Sequence, residues 1–350
     1  MTDLIEKLRT SHSLTAEEYE HLITHRNEES AALLKKYAVE AAKSVYKNAV
    51  FIRGLIEVSN FCKNDCLYCG IRRSNKTCDR YRLTEAQILN CCKNGYALGF
   101  RTFVLQGGED GYFTDGFLCD LIGKIKSAYP DCAITLSLGE REKESYKKLY
   151  DAGADRYLLR HETATEEHYN LLHPSNMSFK NRMECLNALK EIGFQVGCGF
   201  MVGSPFQTAH YIARDLKFIE TFRPQMCGIG PFIPQSETPF ANESGGTAEL
   251  TCYLLSVIRL INPHILLPST TALGTVKQGG REEGILSGAN VIMPNLSPAD
   301  TREKYKIYDN KLSTGAEGAE GLKALKQRIS AIGYEIVTDR GDYKEFAKNQ

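Results

Sequence analysis

The chain has no tryptophan, no excess of either charge, no low-complexity tract and no long Pro/Gly linker. Lysine plus arginine matches aspartate plus glutamate at 43 each, so the formal net charge is zero. Nucleic-acid binding normally needs a basic face, so no nucleic-acid partner is expected. No apolar run approaches the roughly twenty residues that cross a bilayer, and no secretory leader pattern is present. A cytoplasmic enzyme without membrane contact is expected. Its 350 residues read as one main domain with a large buried core.

Cysteine is the residue in surplus, twelve in all. Secreted disulfide scaffolds are short and cysteine-dense. Here Cys91, Cys92, Cys119, Cys132, Cys185, Cys198, Cys227 and Cys252 are scattered, and read as small buried hydrophobes in a reducing compartment. Cys62, Cys66 and Cys69 stand apart, because their CxxxCxxC spacing puts three thiolates on one short loop. Soft thiolates select iron–sulfur clusters, zinc or copper(I). Structural zinc takes four closed ligands, and no fourth cysteine or histidine follows at ligand spacing; the next thiol is Cys78. An electron-carrier cluster normally takes four cysteines. In a four-iron cubane, three cysteines leave one iron open to a ligand from outside the chain, and that is where chemistry is expected.

Short β-branched runs alternate with amphipathic helical stretches after residue 49. The runs 51–58, 102–106, 133–138, 156–160, 195–201, 226–230, 265–268 and 290–293 read as strands. Helical pattern covers 84–98, 114–128, 142–151, 179–192, 209–222, 249–261 and 281–286. Strand 265–268 carries Pro268, which cannot donate a ladder hydrogen bond. Strands alternating with helices predict an α/β fold, a complete (β/α)8 TIM-type barrel over 50–310, matching the roughly 250 residues usual for one. Residues 1–49 read as a helical extension, with Thr15 as a cap, and 311–350 as a short helical tail around 321–332.

Barrel enzymes place their sites where strands end. The first strand leads into the cysteine loop, the second into Gln106, Gly107, Gly108 and Glu109, and the fourth into Arg160, His161, Glu162 and Thr163. The seventh ends at Thr270 and Thr271, and the eighth at Met293. Gly107 and Gly108 let main chain approach a ligand closely. Arg182 offers a bidentate clamp for a carboxylate. Arg53 and Glu57 share a strand face, so an internal ion pair is the plain structural alternative for them. Arg160, pointing into a barrel, needs an anion or a carboxylate such as Glu162.

The cysteine loop, with Tyr68 before its last thiol, resembles that of the radical S-adenosylmethionine (SAM) superfamily. There the open iron of a [4Fe–4S] cluster binds SAM, and one electron cleaves it to a 5′-deoxyadenosyl radical. Arg72 and Arg73, the Arg80–Tyr81–Arg82 run, the Gln106–Asp110 run, the Arg160–Thr163 run, the Gly228–Pro234 run, the Thr270–Thr275 run and the Gly288–Asn295 run resemble the HydE family of [FeFe]-hydrogenase maturases. This likeness extends to about residue 308. It implies SAM contacts from Tyr68, Gln106, Gly107, Gly108, Glu109, Thr135, Glu162, Arg182 and Tyr305. It implies a substrate or anion site made by Arg160, Thr270, Thr271, Met293 and Tyr308. The resemblance further implies an external one-electron reductant, the partner maturases HydG and HydF, and a small iron- and sulfur-containing substrate. Some relatives bind a second cluster near the barrel's end. Here the last cysteine is Cys252 and residues 309–318 hold no thiol, so one cluster is expected. Methylornithine synthase is the alternative within the same barrel group. Biotin synthase fits less well, since it needs an intra-barrel sulfur-donor cluster.

Overall fold

The computed structural model describes residues 1–312 and 318–345. Its strands are β1 (Ala49–Ile52), β2 (Gly54–Ser59), β3 (Thr102–Gly107), β4 (Ala133–Ser137), β5 (Arg156–Leu158), β6 (Gln195–Cys198), β7 (Met201–Val202), β8 (Met226–Cys227), β9 (Gly230–Pro231), β10 (Val291–Ile292) and β11 (Glu335–Val337). The helices are α1 (Thr2–Ser11), α2 (Ala16–Thr24), α3 (Glu28–Tyr46), α4 (Glu85–Ala97), α5 (Asp115–Ala128), α6 (Lys143–Asp151), α7 (Glu166–Leu172), α8 (Phe179–Ile192), α9 (Ala209–Phe222), α10 (Ala248–Ile261), α11 (Thr271–Val276), α12 (Gly280–Ile285), α13 (Ala299–Arg302) and α14 (Leu322–Ala331).

Six strands form one parallel sheet in the order β2-β3-β4-β5-β6-β8. β1 pairs in parallel with β10 on one side and β11 on the other. Single-residue bridges join Met226 to Leu266 and Pro268 to Val291. The helices start on side-chain caps: the hydroxyls of Thr15, Thr84, Thr114, Ser178, Thr208, Thr247 and Thr270 each accept an amide of the first turn. Apolar side chains of strands and helices merge in one large core cluster.

Four sequence expectations need correction. The run 51–58 is not one strand, because it breaks at Arg53, where the chain leaves the β1 ladder for the β2–β3 ladder. The run 195–201 breaks at Gly199 (φ 151°), where a Cβ would stand 2.0 Å from the Gly228 carbonyl oxygen. The run 226–230 breaks between β8 and β9, leaving β7 paired with β9 as a separate ribbon. Residues 265–268 form no regular strand and only bridge their neighbours.

The tail also holds more than a helix. Asn48 accepts the Glu335 amide, β11 extends the β1 sheet, and the segment beyond it closes the lower end of the strands. Asp342 there accepts from Arg156 at 2.6 Å and Gln195 at 2.8 Å. Residues 313–317 and 346–350 of the expected tail lie outside the described residues, including half of the thiol-free 309–318 stretch.

Candidate active site

The ends of the parallel strands open into a cavity of about 380 Å³, lined by Cys62, Cys66 and Cys69 at one end and by Thr270, Thr271 and Met293 at the other. The cysteine loop between β2 and α4 has no regular structure, so its shape comes from side chains that fasten its main chain. The Arg80 guanidinium donates to the carbonyls of Asn60, Ile71, Arg72 and Asn75. Asn60 is fully buried; its amide group donates to the Asp79 and Lys304 carbonyls, and its oxygen accepts the Tyr81 amide. Asp65 accepts from Arg72 at 2.8 Å and from the Ser74 amide at 3.0 Å. Burial raises all three thiols, and the neighbouring Cys62 helps push Cys69 up to about 12. Thiolates there need an electrophilic partner in place of the proton.

Tyr68 is held by an assignable hydrogen bond. The His173 ring approaches the Tyr169 carbonyl with Nδ1 at 2.9 Å, so Nδ1 carries the proton and Nε2 accepts from the Tyr68 hydroxyl at 3.2 Å. Burial lowers His173 to about 3, consistent with a neutral ring.

The turn after β3 is shaped against this loop. A Cβ on Gly108 would lie 2.2 Å from the Phe61 carbonyl oxygen and 2.7 Å from Cys62 Cβ. The Glu109 amide donates to Cys62 Sγ at 3.4 Å. The Glu109 side chain points elsewhere, accepting the Glu140 amide at 3.0 Å and meeting Lys63 at 3.1 Å. Its backbone is the part that meets the cysteine loop, with the carbonyl also accepting the Lys63 amide at 2.9 Å. Gly108→Ala is therefore expected to displace Phe61 and Cys62, costing about 1–3 kcal/mol of overpacking. Iron content after anaerobic reconstitution should fall below half that of the wild type, with circular dichroism unchanged; full loading would show that the close approach is not needed.

In the Arg160–Thr163 run, side chains alternate between cavity and exterior. Arg160 and Glu162 line the cavity, with Arg160 Nη2 at 3.3 Å from Glu162 Oε2. Neither atom makes an aligned hydrogen bond, and Arg160 Nε has no partner either. Glu162 sits at φ 65°, strain that persists where a site fixes it. His161 faces away: its Nδ1 accepts the Gly199 amide at 3.2 Å, and Nε2 lies 3.4 Å from the buried Asp215. Arg182 lines the cavity, giving Nε to Glu140 and Nη1 to the Arg160 carbonyl, each at 2.5 Å.

At the opposite wall, Gly230 makes room for Thr270, whose Oγ1 would be 2.7 Å from a Cβ there. The hydroxyl oxygen of Thr270 accepts the Leu273 amide, and that of Thr271 accepts from Arg281 at 3.0 Å. Among the described residues neither hydroxyl has an acceptor for its proton. Gln106, Tyr305 and Tyr308 also line the cavity.

Two expectations about side chains fail. Thr135 does not line this cavity; it faces a small separate cavity with Arg53, Arg156 and Gln195 at the other end of the strands. Ser137, two residues on and on the same face of β4, lines the main cavity instead. Arg53 and Glu57 do not pair either. Arg53 Nη1 donates to Met226 Sδ at 2.8 Å, while Glu57 accepts from Asn295 at 2.8 Å and Lys311 at 2.6 Å. Glu57, Lys311, Glu140 and Ser137 were not among the expected site residues, although Ser137 and Glu140 stand at the end of the third expected strand. Glu57 and Ser137 had a signal, since both lie near the ends of strands leading to the site. Lys311 had none.

The chain matches the radical SAM superfamily over residues 56–219. It is 42% identical over 311 residues to the [FeFe] hydrogenase maturase subunit HydE of Thermotoga maritima, covering 89% of this chain and 88% of that one. The chain belongs to the HydE family. A 3-methylornithine synthase of Methanosarcina acetivorans is 27% identical over 336 residues, with 94% and 92% covered. The crystal structure of methylornithine synthase (PylB) superposes with a TM-score of 0.86 at 25% identity, covering 98% of this chain and all of that one. As a HydE-family protein it is a radical SAM enzyme, and the superfamily implies a [4Fe–4S] cluster, SAM and a reductant. Its donor set suits such a cluster: three thiols on one loop line one cavity, under a Gly108 that leaves room for them. Among the described residues no helix is long and apolar enough to cross a membrane.

Proposed function

We propose that the protein acts in maturation of the [FeFe]-hydrogenase H-cluster, at assembly of the dithiomethylamine-bridged di-iron subcluster. Its substrate would be a cysteine-bound iron carbonyl–cyanide complex from HydG, and its product would pass to HydF. The observation that carries this reading is the 42% identity to HydE across most of both chains, against 27% to 3-methylornithine synthase. Cys62, Cys66 and Cys69 hold the cluster. Tyr68, Gln106, the Gly107–Glu109 backbone, Ser137, Glu162, Arg182 and Tyr305 hold SAM; Thr135 is not carried forward. Arg160, Thr270, Thr271, Met293 and Tyr308 hold the substrate. Among the described residues the cysteines lining the cavity are these three, and one cluster is the reading carried forward. The bridges at Met226–Leu266 and Pro268–Val291, with the β10–β1 ladder, support a complete eight-stranded barrel over residues 50–310. Residues 1–49 and 311–350 are its extensions, and the working compartment is the cytoplasm.

When bound, the cluster supplies the electron that splits SAM into methionine and a 5′-deoxyadenosyl radical. The chain's own part is to orient and to keep water out. Arg182 offers its remaining donors to the SAM carboxylate. Thr270 and Thr271 donate their free protons to an anionic group of the substrate, beside the positive charge of Arg160. Met293, Met226 and Leu158 give the radical apolar walls. A mutase substrate with a free ammonium fits less well, because Lys311 and Asn295 already engage Glu57 and Arg160 lies against Glu162.

With dithionite, the reconstituted protein is expected to release methionine and 5′-deoxyadenosine from SAM. Arg182→Ala should keep the cluster and raise the Kd for SAM by about 10–100-fold, the value of a charged hydrogen bond of roughly 1.5–3 kcal/mol. Calorimetric titration checks this; an unchanged Kd would remove Arg182 from the SAM site.

A further inference from the structure

We propose that Lys311 is a specificity-determining residue, whose ammonium group occupies from within the chain a cavity site built for the ammonium of a ligand. This deepens the reading above, in which the substrate is held by donors, and rests on it. Among the described residues three carboxylates line the cavity, Glu57, Glu109 and Glu162, with three cations, Arg160, Arg182 and Lys311. Glu109 is engaged by Lys63 and the Glu140 amide, and Glu162 lies beside Arg160 in the SAM site. Glu57 is the carboxylate left to meet a substrate.

The surroundings of Glu57 form a cradle for a cation. Its side chain is fully buried on β2, where a charge without a partner is costly. The Asn295 oxygen accepts the Ser297 amide at 2.8 Å, which turns the Asn295 amide group to donate to Glu57 Oε2 at 2.8 Å. Lys311 Nζ donates to Oε1 at 2.6 Å. The same nitrogen stands 5.2 Å from the centre of the Tyr305 ring, a cation–π distance. A fixed carboxylate on one side and an aromatic face on the other suit a primary ammonium.

Lys311 reaches this cradle from the tail, not from a strand. The stretch before it is pinned to loops around the cavity. Asn60 donates to the Lys304 carbonyl at 2.8 Å, Gly70 to the Ile307 carbonyl at 3.0 Å, and Asp309 accepts the Ser236 amide at 2.9 Å. The Lys311 side chain is 9% exposed. A buried ion pair adds little net stability over an apolar pair of similar volume, so stability alone does not call for one. What the pair sets is the charge that the cavity offers. With Glu57 neutralised, the donors of Arg160, Thr270 and Thr271 favour an anionic group, and an amine-bearing molecule meets a filled site. Selectivity then comes from excluding the wrong ligand as well as from holding the right one.

Lys311→Ala removes three methylenes and the ammonium and opens the cradle. The test titrates L-ornithine, and L-norvaline, which lacks its terminal ammonium, into the cluster-loaded full chain with SAM and without reductant. Lys311→Ala should bind ornithine at least about tenfold more tightly than the wild type, the value of one charge-assisted hydrogen bond. Norvaline should bind both proteins equally. Glu57→Gln/Lys311→Ala, which removes both charges, should lose the preference for ornithine. If Lys311→Ala melts too low to titrate, n-propylammonium, the fragment deleted, should raise its melting temperature toward that of the wild type; no such shift would overturn the proposal. Equal ornithine binding by wild type and Lys311→Ala, or a gain for norvaline equal to that for ornithine, would also overturn it. Wild-type protein that couples SAM cleavage to consumption of ornithine would overturn instead the reading on which the proposal rests.

Discussion

Cys66→Ala protein, reconstituted anaerobically with iron and sulfide, is expected to hold almost none of the about four irons that the wild type binds as one cubane. Cys66 lies between two other thiols on a loop whose main chain Arg80 and Asn60 already fix. Removing one thiol leaves two, too few to retain a cluster that shares no fourth protein ligand. The fold should survive, because Arg80 and Asn60 fasten the loop's main chain without using Cys66. Iron and sulfide analysis with circular dichroism checks both halves. A stable wild-type stoichiometry of about six to eight irons would contradict the single cluster.

Arg160→Met is expected to keep the cluster and uncoupled SAM cleavage while hydrogenase maturation falls to background. The alternative is a purely structural ion pair with Glu162. Breaking a buried pair costs about 3–5 kcal/mol, whereas an exposed one is worth about 0–1 kcal/mol. Arg160 keeps 34% of its side chain exposed to the cavity, and its 3.3 Å contact with Glu162 lacks hydrogen-bond alignment. Its fold contribution, as the carbonyl that accepts from Arg182, is main chain and survives the change. Thermal melting should therefore shift little. A variant that melts far below the wild type would favour the structural pair, and full maturation activity in a stable variant would remove Arg160 from the substrate site.

What the sequence made legible was local. The thiols announce themselves because ligand spacing lies within eight residues, and Thr15 announces a helix start because a cap reads the amide three positions on. Strand parity was legible too, but depth along a strand was not. Thr135 and Ser137 share a face, and only the register of β4 against β3 and β5 tells which reaches the site. Glu57 shows the other limit, since its partners Asn295 and Lys311 are 238 and 254 residues away. The strand breaks at Arg53 and Gly199 arise from contacts with β10 and Gly228, neither of which is a local neighbour in the chain.

The most direct test supplies this protein, cluster-loaded, to a maturation mixture containing HydG, HydF, SAM, reductant and apo-[FeFe]-hydrogenase but no other HydE. The account predicts hydrogen evolution that depends on this protein and is lost with Cys66→Ala. SAM cleavage without any gain in hydrogenase activity, accompanied by formation of 3-methylornithine in the presence of an amino-acid substrate, would contradict it.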